Sequence, residues 1–214
     1  MGKEICRQLN EAGCEVILTA RNEEVGQRSA DELGVRFRRL DVLNEQEIVE
    51  FRQWLEKTYG RLDVLVNNAA LLLDQKKKLT TSSPEILQRT LETNALAPIH
   101  LICNLLPLLL KSKQPRVVNV TSRLAQSKAW GLGAPSYRIA KLALNAATSI
   151  LAMELEDTPV KINAASPGWV KTHMGGDDAP EGVEQGAKVV IELALLPNDG
   201  PSGGFFEGTE RLEW

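Results

Sequence analysis

Residues Val117 to Lys141 read VVNVTSRLAQSKAWGLGAPSYRIAK, and the interpretation of the chain starts from this stretch. Its first letters, VVNVT, are rich in β-branched residues, which is typical of a strand buried in a parallel sheet. Ser122 follows at the strand end, where ligands bind in open α/β sheets. After a loop marked by Gly and Pro, Tyr137 and Lys141 stand four residues apart in an Ala- and Leu-rich segment. The pattern predicts a strand, a loop and a helix that bring a hydroxyl, a phenol and an ammonium group together.

These three groups suit acid catalysis at a carbonyl. A phenol has a pKa near ~10, and an ammonium group within about 4–6 Å lowers it by roughly 1–3 units. We therefore expect Tyr137 to exchange a proton near neutral pH, while the Ser122 hydroxyl donates a hydrogen bond to the carbonyl oxygen. The alternative is that Tyr137 and Lys141 form an ordinary surface pair, which contributes only a few tenths of a kcal/mol.

Length and composition predict one globular domain covering residues 1–214, because 43% of the residues are hydrophobic. The formal charge is -3 and no basic stripe is present, so nucleic acid is not expected as a partner. The only basic run is Lys76–Lys78. It is flanked by Asp74, Gln75 and a Thr/Ser stretch, and the sequence predicts a solvated loop there.

Cysteine usage and hydropathy predict a cytoplasmic protein without a membrane partner. Cys6, Cys14 and Cys103 are odd in number and widely spaced, as reduced thiols usually are. The longest apolar run, from Ala95 to Leu110, is interrupted by polar residues and prolines, whereas a membrane helix needs about 20 apolar residues. His173, one of two histidines, has no neighbouring ligand residues, so no metal site is predicted.

Helix and strand candidates alternate along the chain. The predicted helices are Gly2–Leu9 continuing to Gly13, Asn22–Leu33, Glu45–Tyr59, a long helix starting at Pro84, the Tyr137 helix to about Leu155, and Val183–Leu195. The predicted strands are Glu15–Thr19, Val35–Leu40, Val64–Val66, the strand from Val117, Val160–Ala164, and Gly204–Phe206. Such alternation predicts a mostly parallel sheet covered on both faces. Polar residues suited to a ligand stand at three strand ends: Asp41, Asn67 with Asn68, and Ser122.

Five motifs in this order resemble the short-chain dehydrogenase/reductase family, and the resemblance covers nearly the whole chain. They are Ser122, the Tyr137-x-x-x-Lys141 pair, Asn67-Asn68-Ala69, Asn94, and the stretch Pro167–Thr172. Leu18–Arg21, Trp169–Gly175, Gly186-Ala187 and the last twenty residues are similar to carbonyl-reductase-like members. The resemblance implies a Rossmann-like doubly wound α/β fold and NADPH-dependent reduction of a small-molecule aldehyde, ketone or quinone.

The resemblance also implies roles for the catalytic residues. Tyr137 would be the general acid, Lys141 would lower its pKa and bind the nicotinamide ribose, and Ser122 would orient the carbonyl. Asn94 would hold a water molecule in a proton relay behind Lys141. Taken alone, Asn94 is explained equally by packing inside a helix.

The residues expected to bind NADP(H) follow from the same motifs. They are Gly2, Arg21, Asp41, Val42, Asn67, Asn68, Ala69, Tyr137, Lys141, Pro167, Gly168, Val170 and Thr172. Asp41 and Val42 would contact the adenine, although Asp41 alone is as readily an N-cap of the next helix. Arg21 would accept the 2′-phosphate and favour NADPH over NADH. Its alternative is an ion pair with Glu23 or Glu24.

The sequence departs from the family in two places. Ser122 and Tyr137 are fifteen positions apart, slightly more than usual, and the loop between them accommodates the difference. The chain begins at Met1-Gly2-Lys3, so the first, central strand and most of the glycine-rich turn are missing. The expectation is an N-terminally truncated domain, with the missing strand between Glu15–Thr19 and Val64–Val66.

Two functions therefore remain open. The first is an NADPH-dependent carbonyl reductase, and the second is a non-catalytic relative that cannot bind the dinucleotide properly. A serine hydrolase is disfavoured, since no G-x-S-x-G elbow surrounds Ser122. Whether the protein is a monomer or a homo-oligomer is not determined by the sequence.

Overall fold

The computed structural model describes residues 1–214, in which seven helices alternate with seven strands. The helices are α1 (Gly2–Glu11), α2 (Glu23–Leu33), α3 (Glu45–Tyr59), α4 (Pro84–Leu91), α5 (Ala97–Leu109), α6 (Pro135–Glu154) and α7 (Val183–Ala194). The strands are β1 (Ile17–Ala20), β2 (Arg36–Arg39), β3 (Val64–Asn67), β4 (Arg116–Val120), β5 (Lys161–Ser166), β6 (Phe205–Glu207) and β7 (Glu210–Leu212). None of the helices combines the length and the hydropathy needed to cross a bilayer.

Side-chain caps and glycines set several helix ends. The side chains of Asn22, Asn44 and Ser83 each accept a backbone N–H in the first turn of α2, α3 and α4. Helices α2 and α3 end at Gly34 and Gly60, whose φ values of 65° and 74° are left-handed. Local sequence therefore fixes these boundaries, and they lie within one residue of those predicted.

The strands form two separate groups. Strands β1 and β2 pair in parallel, while β3, β4, β5 and β6 form a parallel sheet in that order, and β7 adds an antiparallel edge. Helices α1 and α7 pack together over one face, where Ile5 and Val118 belong to one apolar cluster. Helices α3 and α5 cover the other face, where Phe51 packs with Leu105. The predicted α/β class, with a mostly parallel sheet between helical layers, is confirmed.

Several details differ from the prediction, among them strand β1, which covers Ile17–Ala20 and not Glu15–Thr19, and strand β6, which covers Phe205–Glu207 and not Gly204–Phe206. Strand β7 was not expected, because Glu210–Leu212 carries two charged residues and no apolar run; β6 recruits it by antiparallel pairing. The long helix starting at Pro84 is interrupted by a π-helical turn at Glu92–Leu96. Strand β5 covers Lys161–Ser166 rather than Val160–Ala164, because pairing with β4 extends it to Ser166.

A cleft of about 880 Å³ separates β1 from β3. Its wall includes apolar residues of both strands, among them Ile17, Leu18, Val64 and Val66. No strand pairs with the edges of β1 and β3 that border this cleft, so the two sheets are joined by helices and not by backbone hydrogen bonds. The gap lies where the sequence predicts the missing strand.

We expect a β-strand supplied to this cleft to stabilise the fold. A chain extended before Met1 by an apolar strand and a glycine-rich turn should unfold at a higher temperature, because each unpaired buried backbone group costs about 1–3 kcal/mol. Thermal unfolding of the two lengths, measured side by side, tests this. An extension of equal length with its apolar residues replaced by Ser and Asp is the control. Equal melting temperatures for all three chains would contradict the prediction.

Candidate active site

Ser122 lies just beyond the carboxyl end of β4, at the centre of the larger sheet. Its Oγ accepts a hydrogen bond from the backbone N–H of Leu124 at 3.2 Å, which caps a short 3₁₀ turn. The Ser122 side chain also faces Tyr137 and acts to lower the pKa of its phenol. Ser122 therefore follows β4 directly and lies beside α6.

Tyr137 and Lys141 lie one turn apart on the buried side of α6, with 8% and 2% of their surfaces exposed. The Lys141 Nζ donates a hydrogen bond of 2.7 Å to the main-chain oxygen of Val120 and lies 5.7 Å from the centre of the Tyr137 ring. The structure thus brings Ser122, Tyr137 and Lys141 together at the end of β4, and the surface-pair alternative is wrong.

The expected lowering of the Tyr137 pKa is not found. Burial raises the pKa of Tyr137 to about 12, and the nearby Ser122 side chain offsets only part of that rise. Burial also lowers the pKa of Lys141 to about 7. The physical reason is that desolvation disfavours the charged form of both groups, while the Lys141 Nζ is directed at the Val120 carbonyl. At neutral pH Tyr137 keeps its proton, and Lys141 is the group that titrates.

Asn94 lies in the π-helical turn and is fully buried. Its Nδ2 donates to the main-chain oxygen of Leu71 at 2.8 Å, and its Oδ1 accepts from the Leu71 N–H at 2.7 Å. This pair of hydrogen bonds fixes the loop after β3, a role that the sequence did not reveal. The proton-relay role of Asn94 stays a prediction, with the side-chain amide already engaged by Leu71.

Seven of the predicted cofactor-binding residues line the cleft between the two sheets: Gly2, Arg21, Asp41, Val42, Asn67, Asn68 and Ala69. Tyr137, Lys141 and the Pro167–Thr172 stretch are not part of its wall. Asn67 donates from Nδ2 to Asn119 Oδ1 at 2.8 Å, and its own Oδ1 is buried without a partner. A buried acceptor without a donor suits a ligand that brings an N–H or O–H group.

The structure rules out two alternative explanations: an N-cap role for Asp41 and an ion pair of Arg21 with Glu23 or Glu24. The N-cap of α3 is Asn44, whereas the Asp41 Oδ1 accepts from the Leu43 N–H, so Asp41 is not the cap. Arg21 is exposed at the cleft and makes no ion pair or side-chain hydrogen bond, and Glu24 pairs with Arg28 instead. The guanidinium of Arg21 is thus free to meet an anion.

The amino end of α1 also borders the cleft, at Gly2. A Cβ on Gly2 would lie 2.7 Å from the Asn68 Nδ2, so any larger residue here would displace the Asn68 amide. The first turn of α1 has no side-chain cap, which leaves backbone donors for an anion. The protein residues expected to bind the adenosine therefore fit a dinucleotide well. For the phosphates of the dinucleotide, the cleft offers the amino end of α1.

The Pro167–Thr172 stretch forms a turn fixed against α7. Gly168 has a φ of 77°, a conformation that favours glycine. Val170 is buried, and the Thr172 Oγ accepts from the Gly175 N–H at 3.0 Å. A Cβ on Gly186 would lie 2.7 Å from a Val170 methyl group, so that glycine lets α7 approach the turn. Backbone conformation explains Gly168, and packing between the turn and α7 explains Val170 and Gly186.

Asp74 is buried, although the sequence predicts a solvated loop around Lys76–Lys78. Lys76, Lys77 and Lys78 are exposed, as a solvated loop requires, but Asp74 is only 1% exposed. One signal was present: Asp74 directly follows the apolar run Leu71–Leu73. Its partners are found only in three dimensions.

We expect Lys141→Met to stabilise the protein at low pH. The pKa of Lys141 is about 7 in the folded chain and ordinarily 10.5, so between these values the unfolded chain binds a proton that the folded chain does not. The free energy of unfolding should therefore rise with pH above about 7. Below pH 7, the full cost of burying the charged Lys141 ammonium group lowers the stability. At pH 6 the variant should be more stable by roughly 1–4 kcal/mol, with a flatter pH dependence.

Urea unfolding at several pH values between 6 and 9.5 measures this effect. The control is Lys188→Met, because Lys188 is exposed on α7. An unchanged pH slope in Lys141→Met would show that Lys141 is not the buried group that costs stability.

The fold and this site are those of an α/β oxidoreductase. The chain belongs to the short-chain dehydrogenase family, whose profile matches residues 1–182. The family resemblance found in the sequence, and with it the predicted enzyme class, is confirmed.

Individual relatives agree with this assignment. The chain is 32% identical to pig (Sus scrofa) carbonyl reductase [NADPH] 1, over 99% of this chain and 88% of the relative. It is 28% identical to (+)-neomenthol dehydrogenase of Arabidopsis thaliana, over 100% and 94% of the two chains. Among solved structures, carbonyl reductase Sniffer of D. melanogaster superposes with a TM-score of 0.89 at 27% identity, covering 99% and 94%. A short-chain dehydrogenase of Escherichia coli CFT073 complexed with NADPH gives 0.87 at 25%, covering 98% and 92%.

Proposed function

We propose that the protein is an NADPH-dependent carbonyl reductase that converts a small aldehyde, ketone or quinone to an alcohol. The observation that carries this proposal is the grouping of Ser122 with the buried side chains of Tyr137 and Lys141 at the end of β4. The pig relative, a carbonyl reductase named for NADPH, supports the same reaction and cofactor.

The dinucleotide would be held by two groups of residues. Asp41, Val42, Asn67, Asn68 and Ala69 would bind the adenosine end, Arg21 the 2′-phosphate, and Gly2 at the start of α1 the linking phosphates. Tyr137, Lys141, Pro167, Gly168, Val170 and Thr172 would surround the nicotinamide end. When bound, NADPH supplies the hydride that reduces the carbonyl carbon.

The side chains of this chain supply the proton. The phenol of Tyr137 is protonated at neutral pH and would donate from Oη to the carbonyl oxygen as negative charge develops there. The Ser122 hydroxyl would donate a hydrogen bond to the same oxygen. Lys141, with a pKa of about 7, would hold the proton that later returns to the Tyr137 phenolate.

The second candidate is a non-catalytic relative with a weakened dinucleotide site. The observation that favours it is the cleft between β1 and β3, since the adenosine residues border a gap and the phosphate end is only the start of α1. Titration with NADPH followed by cofactor fluorescence separates the candidates. Saturable binding supports the reductase, and the lack of binding supports the second candidate.

We expect Tyr137→Phe to remove most of the reductase activity. The substitution keeps the ring and deletes the ionisable hydroxyl, so kcat should fall by about 10²–10⁴-fold while NADPH affinity is retained. Steady-state kinetics with a panel of aldehydes, ketones and quinones measures this. Tyr59→Phe is the matched control, because the Tyr59 hydroxyl donates to Glu15 away from Ser122 and Lys141. Near-normal turnover in Tyr137→Phe would mean that another group is the acid.

We expect Arg21→Ala to weaken the preference for NADPH. Loss of one hydrogen bond to a charged group costs about 1.5–3 kcal/mol, so kcat/KM with NADPH should fall by roughly 10–100-fold while that with NADH changes little. Arg28→Ala on α2 is the control, because Arg28 pairs with Glu24 at the surface. Equal efficiencies with both cofactors in the unmodified protein would remove the role given to Arg21.

A further inference from the structure

Helix α6, which carries Tyr137, begins without a cap of its own. Ala134 occupies the N-cap position and has no side-chain oxygen, and Pro135 at the first helical position has no N–H. The N–H of Ser136 is therefore the first donor of the helix that needs a partner. It donates at 2.9 Å to the Oδ2 of Asp74, a residue sixty-two positions earlier in the chain.

The carboxylate of Asp74 is buried at the start of α6. Its Oδ2 also accepts from the Ser82 Oγ at 3.3 Å, and its Oδ1 is buried without a partner. No Lys, Arg or His pairs with it, although burying an unpaired charge is costly. The partial positive charge at the amino end of α6 is what compensates the carboxylate.

The main chain of the same loop holds the backbone before α6. The Ala134 N–H donates to the main-chain oxygens of Asp74 and Gln75, each at 3.2 Å. Ala134, at φ 54°, is the only non-glycine residue with a positive φ. A Cβ on Gly133 would lie 2.6 Å from the Gln75 oxygen, so this approach also needs glycine. Strained backbone of this kind persists only where neighbouring groups hold it.

The other end of the loop is fixed by Asn94, whose amide holds Leu71 through two hydrogen bonds. Through these hydrogen bonds, the loop links the π-helical turn to Ser136, the residue directly before Tyr137. We propose that Asp74 is a positioning residue for Tyr137: its carboxylate caps α6 and fixes the phenol relative to Ser122. This inference rests on the reductase function proposed above.

Kinetics of three variants test the role in positioning. Asp74→Ala should lower kcat by at least about 10-fold, since small displacements of an acid are costly, while KM for NADPH stays within about 2-fold. Asp74→Asn should restore most of the loss, because its amide oxygen still accepts from Ser136. Asp157→Ala, just beyond the carboxyl end of α6, should behave like the unmodified protein.

Two results would overturn the proposal. One is an Asp74→Ala variant with normal kcat. The other is a variant whose kcat, NADPH affinity and melting temperature all fall together without rescue by Asp74→Asn, which would indicate general loss of structure.

Amide hydrogen exchange gives a readout that does not need turnover. In Asp74→Ala the amide of Ser136 should exchange at least about 10-fold faster, while those of Leu144 and Thr148 in mid-helix stay protected. If the unmodified protein reduces no carbonyl, the reductase function fails, and unchanged exchange at Ser136 would then overturn the capping role of Asp74 as well. Faster exchange confined to Ser136 would support it.

Discussion

The hydrogen bond from the Lys141 Nζ to the Val120 carbonyl is the contact on which the site depends. It fixes α6 over the end of β4, and the Thr121 hydroxyl adds a longer bond to the Lys141 carbonyl. An ammonium group buried beside a neutral carbonyl costs free energy, because a carbonyl dipole replaces only part of the lost hydration. A buried, strongly perturbed lysine beside a strand end marks a candidate functional site.

The β-sheet is interrupted between its two groups of strands. Backbone pairing stops between β1 and β3, so the two strand groups depend on side-chain packing of the helices on each face. Buried leucines of α5 pack against α3 on one face, and Ile5 and Leu9 of α1 pack near α7 on the other. Apolar packing lacks the directionality of a β ladder, so the cleft is the place where the relative position of the two groups is least constrained.

Helix α6 is supported from two sides. Lys141 anchors its buried face to β4, and the loop from Leu71 to Gln75 holds its amino end. That loop is itself fixed by Asn94, so a residue in the π-helical turn is mechanically linked to the start of α6. The arrangement explains why the turn before Pro135 can hold a strained Ala134 without a cap of its own.

The sequence by itself determined the alternation of helices and strands, most boundaries and the meeting of Ser122, Tyr137 and Lys141. These follow from local rules: caps, left-handed glycines, strand ends and side chains four residues apart on a helix. The tertiary structure alone decided the pKa values of Tyr137 and Lys141, because burial is the main cause of both shifts. It also decided the pairing of β7 and the place of Asp74, since both depend on partners that no local pattern identifies.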